Sequence, residues 1–381
     1  YTVDEKTGAV TLTLPLGEYT MKETKAPYGH VISSKEWPLK FEWKNKDTEF
    51  VEDSAGTCED GILKVNDKKV KANVKITKKD KKDSALTVPN TKFGFYTKND
   101  IYSTNGDLLV KADSLLTTVT TNEKGVAKID MDLPLMDENY EPGSKLNSGE
   151  YYFIEMDISN SYYIDKTPIE IKLESKDQNV ETIESNSTQE NIRTESVFSK
   201  KTLTGTDELQ NCYLTITDEN NNEIISWISG DKSSVKISDK LKDLGYENVE
   251  AAITDNGNLE VKGLLHDTVY YMTETKPADG YTTAERISFK LIKNVENSDK
   301  DTYVYVEKTE PTSSVDDENV LTMKDDVTSV ALSKMDIAQS KEIPGCSLRI
   351  EDENGKIIED WISTEERHII TAKLGINKVY K

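Results

Sequence analysis

The chain of 381 residues has little of what most active sites and disulfide scaffolds are built from. It contains three cysteines, Cys58, Cys212 and Cys346, and three histidines, His30, His266 and His368. Three cysteines cannot form a disulfide framework, and their spacing matches no metal site. The histidines lie far apart with no metal-spaced pair, and no Ser, His, Asp grouping occurs. The acidic pairs Asp316/Asp317 and Asp325/Asp326 lack the D-x-[DN]-x-[DN]-G loop of a calcium site. No metal or cofactor is therefore expected.

Arginine is almost missing, with Arg193, Arg286, Arg349 and Arg367 the whole complement, so the 48 basic residues are nearly all lysine. Against 70 acidic residues the net charge is −22, which speaks against nucleic acid and anionic membrane surfaces as partners. No apolar run of about 18 residues is available to span a bilayer. The opening residues YTVDEKTGAV have neither the charged n-region nor the apolar h-region of a signal peptide. The pattern is interrupted at both ends, and the chain is expected to be a monomeric piece of a longer protein.

What is present is repetition. Val197–Ser229 aligns without a gap on Ala331–Ser363 at an offset of 134, matching Lys200 to Lys334, Cys212 to Cys346, Leu214 to Leu348, Ile216 to Ile350 and Trp227 to Trp361. Lys78, in VKITKKD, begins an earlier unit. Repeats of this length imply stacked units of one fold, expected at 1–72, 73–193, 194–328 and 329–381. Strands rich in Tyr, Thr, Val and Ile alternate with turn signals around Asn105-Gly106, Gly125, Gly257 and Gly355, each read as a hairpin. Leu241–Ile253 is at most a short helix or irregular loop. The fold class is all-β, with antiparallel β-sandwiches in tandem.

Alternation places charged residues on inward strand faces. Tyr19, Met21 and Glu23 share one face; Tyr152, Ile154 and the neighbouring Glu155 do so less regularly; Glu274 lies in the same setting within VYYMTETKPADGY. Val74, Ile76 and Lys78 share a face, as do Val330, Leu332 and Lys334, with Ser196, Phe198 and Lys200 on the same period. Asn191 and Asp325 each precede a repeat lysine by nine residues, and Asn66 precedes Lys78 by twelve. A lone lysine or glutamate on a strand is ordinarily a solvated group, but recurrence asks for another reason. Burial disfavours charge, leaving a lysine amine that is nucleophilic and a glutamic acid that can polarise a carbonyl and shuttle protons. The product is a Lys to Asn or Asp isopeptide bond.

ETKAPYGH and ETKPADGY resemble the E-x-x-x-P-x-G-Y signature of Cna B-type (SpaA-like) domains, found in surface adhesins and pilins of Gram-positive bacteria. FGFYTKNDIYSTNGDLL and TLTGTDELQNCYLTITDEN are similar to segments of the same domains. The resemblance implies Ig-like, prealbumin-like sandwiches, each locked by a self-formed bond. Carried over, Lys78 pairs with Asn191 under Glu155, and Lys200 with Asp325 under Glu274, with Asp326 as the rival acceptor. Glu23 and Asn66 form one orphan half-site and Lys334 another. Glu155 is followed by MDISNSYY, without the proline and glycine of the signature.

The implied role is a stalk or spacer of a cell-wall-attached, extracellular protein, with self-crosslinking and no turnover. The alternatives are a module recognising a host protein or glycan, and a pilus shaft subunit. Cys212 and Cys346 read as small core residues, Cys58 as a loop residue, and His30 as a packing residue. Trp227 and Trp361 read as core anchors, and Trp37 and Trp43 as partly exposed.

Overall fold

A computed structural model describes residues 2–4, 6, 10–11, 14–41, 58–59, 62–63, 65–292, 303–306, 313–315, 319–338, 341–375 and 378–381. Trp43, Asp316 and Asp317 lie outside them.

Two sandwiches dominate. In the earlier, a four-stranded sheet runs in the order Leu115–Thr120, Lys92–Thr97, Glu150–Asp157, Ile169–Lys172. It faces a three-stranded sheet ordered Val126–Ile129, Lys71–Asp80, Thr182–Asn191. Val74, Ile76, Phe93, Phe95, Tyr151, Phe153 and Leu173 fill the space between them, with Phe95 stacked on Tyr151 at 5.4 Å between centroids. The later sandwich packs a five-stranded sheet holding Glu195–Thr202 and Val320–Asp325 on a six-stranded sheet holding Tyr213–Asp218 and Val269–Lys276. Phe198, Leu214, Trp227, Tyr270, Met272, Phe289 and Met323 are in its core.

Among the described residues, strand pairing is antiparallel except at one place in each sandwich. Lys71–Asp80 lies parallel to Thr182–Asn191, and Glu195–Thr202 lies parallel to Val320–Asp325. First and last strands thus run side by side in the same direction, which brings residues far apart in sequence onto one face.

The turns at Gly106, Gly257 and Gly355 join paired strands, as expected. The one at Gly125 does not. Leu115–Thr120 pairs with Lys92–Thr97 while Val126–Ile129 pairs with Lys71–Asp80, so TNEKGVA crosses between sheets. Asn122 closes the turn with its own side chain, accepting from the amides of Lys124 and Val126, after which the strands diverge. Gly125 has φ +67°, and a Cβ there would lie 2.7 Å from the carbonyl oxygen of Lys78. Only glycine allows this approach without strain.

Leu241–Ile253 forms a short 3₁₀ turn over Lys242–Leu244 and then a strand over Glu250–Ile253. Near the start, Gly17–Lys22 pairs with Glu36–Phe41 and His30–Val31 with Lys68–Lys69. Trp37 is buried at 4% exposure, contrary to expectation. Cys58 belongs to the short strand Cys58–Glu59 rather than to a loop. Towards the end, Ala331–Leu332 pairs with His368–Ile369 and Ser347–Glu351 with Ile357–Ile362.

Candidate crosslinking sites between first and last strands

The first strand of the earlier sandwich turns Val74, Ile76, Lys78 and Asp80 inward. The two aliphatic residues enter the core, and the period carries the Lys78 side chain after them to 0% exposure. On the parallel strand, Gln189 and Asn191 are the buried residues, with Gln189 opposite Lys78. From the facing sheet Tyr151, Phe153 and Glu155 point inward. That corrects the expected face of Tyr152 and Ile154: Tyr152 instead stacks on Tyr96 on the outer face, at 5.2 Å.

Three side chains meet there without solvent. The Lys78 ammonium donates to Asn191 Oδ1, lies 3.3 Å from Glu155 Oε1, and donates to Gln189 Oε1 at 3.2 Å. Asn191 Nδ2 donates to Glu155 Oε2 at 2.6 Å. The same Oε2 accepts from the Asp165 amide at 2.7 Å, while Gln189 Nε2 donates to the Asp165 carbonyl at 2.9 Å. These bonds hold Asn191 and Glu155 Oε2 beside the Lys78 nitrogen. Burial pulls the Lys78 pKa down to about 8, and the charge of Glu155 opposes the shift. A buried amine with a lowered pKa is available as a nucleophile near neutrality.

The later sandwich repeats the arrangement with an acid in place of the amide. Lys200 and Asp325 are 0% and 1% exposed, and the Lys200 ammonium contacts Asp325 Oδ1. Glu274 Oε1 lies 3.0 Å from the same nitrogen, and Glu274 Oε2 accepts from the Ala284 amide at 2.7 Å. Burial raises the Asp325 pKa to about 7, with the Lys200 interactions opposing and the negative Glu274 adding. With Asp325 protonated, one ammonium and one carboxylate remain, and the buried site is neutral. Asp326, the rival acceptor, is exposed, its carboxylate accepting from the Val327 amide.

Cys212 Sγ lies 4.0 Å from Asp325 Oδ2. With Glu274 and Asp325 it forms the sole metal-like grouping among the described residues, its ligand atoms within 4.8 Å of one another. Lys200 already supplies the positive charge there, and burial pushes the Cys212 thiol up to about 12. A thiol held so far from ionisation is a poor ligand. Cys346, its repeat partner, is half-buried.

Sequence reasoning missed two supporting residues. Gln189 follows from alternation, being two residues before Asn191. Glu208 accepts from the Lys200 amide and the Ser199 hydroxyl, each at 2.6 Å, and burial raises its pKa to about 6. Its repeat counterpart Glu342 accepts from the Lys334 amide at 2.8 Å.

The orphan half-sites fare differently. Glu23 Oε2 accepts from the Ser33 amide at 2.6 Å, the same ten-residue reach as Glu155 to Asp165 and Glu274 to Ala284. Asn66, expected beside it, is exposed. Val330, Leu332 and Lys334 are exposed too. Trp361 is half-buried and stacks on His368 at 4.4 Å, whereas Trp227 is buried.

Residues 1–57 and 72–189 match the family model of the SpaA prealbumin-like fold domain. Over those residues the chain carries SpaA-like domain sequence. Solved structures similar to it include the Bacillus anthracis TIE protein, at 20% identity and a TM-score of 0.38 over 73% of this chain and 40% of that one. The chain thus spans well under half the length of that protein. Others are the shaft pilin SpaA from Lactobacillus rhamnosus GG, at 18% identity over 68% and 98% of the two chains with a TM-score of 0.28, and the BcpA major pilin subunit of Bacillus cereus, at 13% over 80% and 85% with 0.25. No curated protein sequence matches. No helix among the described residues is long and apolar enough to cross a membrane.

Proposed function

We propose that this SpaA-like chain is a stalk segment of a Gram-positive cell-surface protein, divided near residues 72, 193 and 328. Its second and third units close themselves by Lys78–Asn191 and Lys200–Asp325 isopeptide bonds. The observation that carries the reading is that the same buried Lys, Glu and Asn or Asp stand at the same register of two sandwiches.

In the second unit the neutral Lys78 amine attacks the Asn191 side-chain carbon. The Nζ–Cγ bond forms, the Cγ–Nδ2 bond breaks, and Glu155 takes a proton from the amine and passes it to the departing nitrogen, which leaves as ammonia. In the third unit the Lys200 ammonium first gives a proton to Glu274, and the freed amine attacks the protonated Asp325 carboxyl carbon; the Nζ–Cγ bond forms, the carbon–hydroxyl bond breaks, Glu274 passes its proton to the leaving hydroxyl and takes one from the nitrogen, and water leaves. Each unit reacts once, so no turnover activity is involved.

Intact mass measurement tests this. The 381-residue chain should weigh one ammonia and one water less than its sequence mass. A full sequence mass would overturn the reading.

A further inference from the structure

One residue of the third unit reaches the second unit at three points. Asn248 precedes the strand Glu250–Ile253 and has φ 57°, a left-handed conformation that asparagine adopts more readily than most residues. Its side-chain nitrogen donates to the Tyr162 hydroxyl at 2.8 Å and to the Thr87 carbonyl at 3.3 Å, and its carbonyl accepts from Arg193.

Each partner leads to a different member of the buried triad. Tyr162, seven residues after Glu155, lies in the loop whose Asp165 amide donates to Glu155 Oε2. Thr87 bridges to Lys79, and the next amide, that of Val88, donates to the Lys78 carbonyl at 3.0 Å. Arg193, two residues after Asn191, bridges to Tyr162. The supports of the glutamate, the lysine and the acceptor therefore converge on Asn248. The rest of the glutamate loop is docked on the third unit too, with the Ser159 hydroxyl donating to the Gly245 carbonyl at 3.0 Å and the Ser161 hydroxyl to the Gly263 carbonyl at 2.8 Å.

The next joint repeats the contact with different chemistry. Tyr281, seven residues after Glu274, bridges to Val327, two after Asp325. Its hydroxyl accepts from Lys373 Nζ at 2.7 Å, a residue beyond the third unit as Asn248 is beyond the second. Both tyrosines are buried, Tyr162 at 0% and Tyr281 at 6% exposure, so a hydroxyl left without its partner is costly.

We infer that Asn248 is a positioning residue for the closure of the second unit, supplied by the third, and that Lys373 does the same for the third. This rests on the isopeptide reading of both units. The glutamate loop has no ladder of its own to fix it, and a displacement of about 1 Å in a reacting group costs on the order of 100-fold in rate. Docking of the following unit holds the loop, the lysine strand and the acceptor strand in one register. Each unit therefore closes only after the unit that follows it has folded.

The full chain, produced in denatured and unclosed form, is refolded and its intact mass followed in time. Loss of ammonia reports the second unit and loss of water the third. Asn248→Gly keeps the left-handed backbone and removes the donor; ammonia loss should slow about tenfold, as for roughly 1.4 kcal/mol of lost hydrogen bonding, while water loss keeps the parent rate. Tyr162→Phe keeps the ring and removes the hydroxyl, so it should slow ammonia loss as well, and it keeps the test decisive if Asn248→Gly disturbs its own turn. Lys373→Met should slow water loss and leave ammonia loss alone. A merely structural role would not divide the two losses in this way. Ammonia loss at the parent rate in either second-unit test overturns the inference, and so does an Asn248→Gly chain in which both losses slow together. A parent chain that loses neither ammonia nor water would instead strike the stalk reading itself.

Discussion

Replacing Glu155 by glutamine separates a covalent lock from an ion pair. The substitution keeps the volume and an oxygen able to accept from the Asp165 amide, now 2.7 Å away, but removes the group that moves the proton. The mass deficit should shrink to the single water of the third unit. Lys78 and Asn191 are 113 positions apart, and closing a loop of that size contributes about 5 kcal/mol in the chain-entropy model. For a unit of this length the corresponding fall in melting temperature is roughly 15–30 °C. Removing the counter-charge of a buried lysine is destabilising as well, by about 3–5 kcal/mol where such pairs have been broken.

A companion variant keeps these two effects apart. Lys78→Met with Glu155→Gln and Asn191→Leu removes every charge of the triad, keeps an acceptor for the Asp165 amide, and leaves apolar side chains of similar size at the other two positions. If the native contact were only an ion pair, that exchange would be neutral or stabilising. If it is a bond, the loop-closure share of about 5 kcal/mol is lost. Calorimetry on both variants beside the parent chain reads the difference. A Glu155→Gln chain that keeps the ammonia deficit would refute the role given to Glu155, and a triple variant as stable as the parent would refute the bond.

Further outcomes follow from the same geometry. Lys78 has a folded pKa of about 8 against an ordinary 10.5, so in an Asn191→Ala chain, which cannot close, the unfolded state binds more protons between those values. Stability should therefore rise as pH rises from about 8 to 10.5, and chemical denaturation at stepped pH checks the sign. Asp325 is protonated below about 7, so closure of the third unit after refolding, timed by mass, should slow above that pH. In a Lys200→Met chain, where Asp325 has no partner to react with, its raised pKa should make stability fall as pH rises from about 4 to 7. Gly125→Ala should cost about 1–3 kcal/mol for a left-handed alanine, and a similar loss at an exposed glycine such as Gly355 would show that contact with Lys78 adds nothing. Cys212 should resist alkylation in the native chain and react after a non-closing variant is unfolded; rapid native labelling would contradict its burial.

The sequence carries the reacting residues because they break the polarity rule of an otherwise regular strand. Lys78 follows Val74 and Ile76 at period two, and nothing but an interior explains it. The Glu155 strand is less clear, since YYFI is apolar on both faces and the inward set, Tyr151, Phe153 and Glu155, cannot be told from Tyr152 and Ile154 by hydropathy. Stacking of Tyr96 on Tyr152 satisfies the outer face without burial. The parallel pairing of first and last strands is written nowhere in local pattern, because it joins segments more than a hundred residues apart.

That parallel pairing is also what would make the proposed bond useful to a stalk. A pull on the chain enters each sandwich at its first strand and leaves at its last, and those strands are neighbours running the same way. Without a bond they would slide past each other and release a length of roughly 380 Å for 113 residues at about 3.4 Å each. If Lys78 is joined to Asn191 and Lys200 to Asp325 as proposed, the load crosses from strand to strand and only the short connection between Asn191 and Lys200 carries tension as backbone. That connection is itself held. Arg193, 4% exposed, lies 3.1 Å from Asp80 of the second unit, donates to the Asn248 carbonyl of the third, and pairs with Glu250 at 3.2 Å. With the two proposed crosslinks in place, they and one buried arginine would form a continuous tie in which the hydrophobic cores are bypassed rather than loaded.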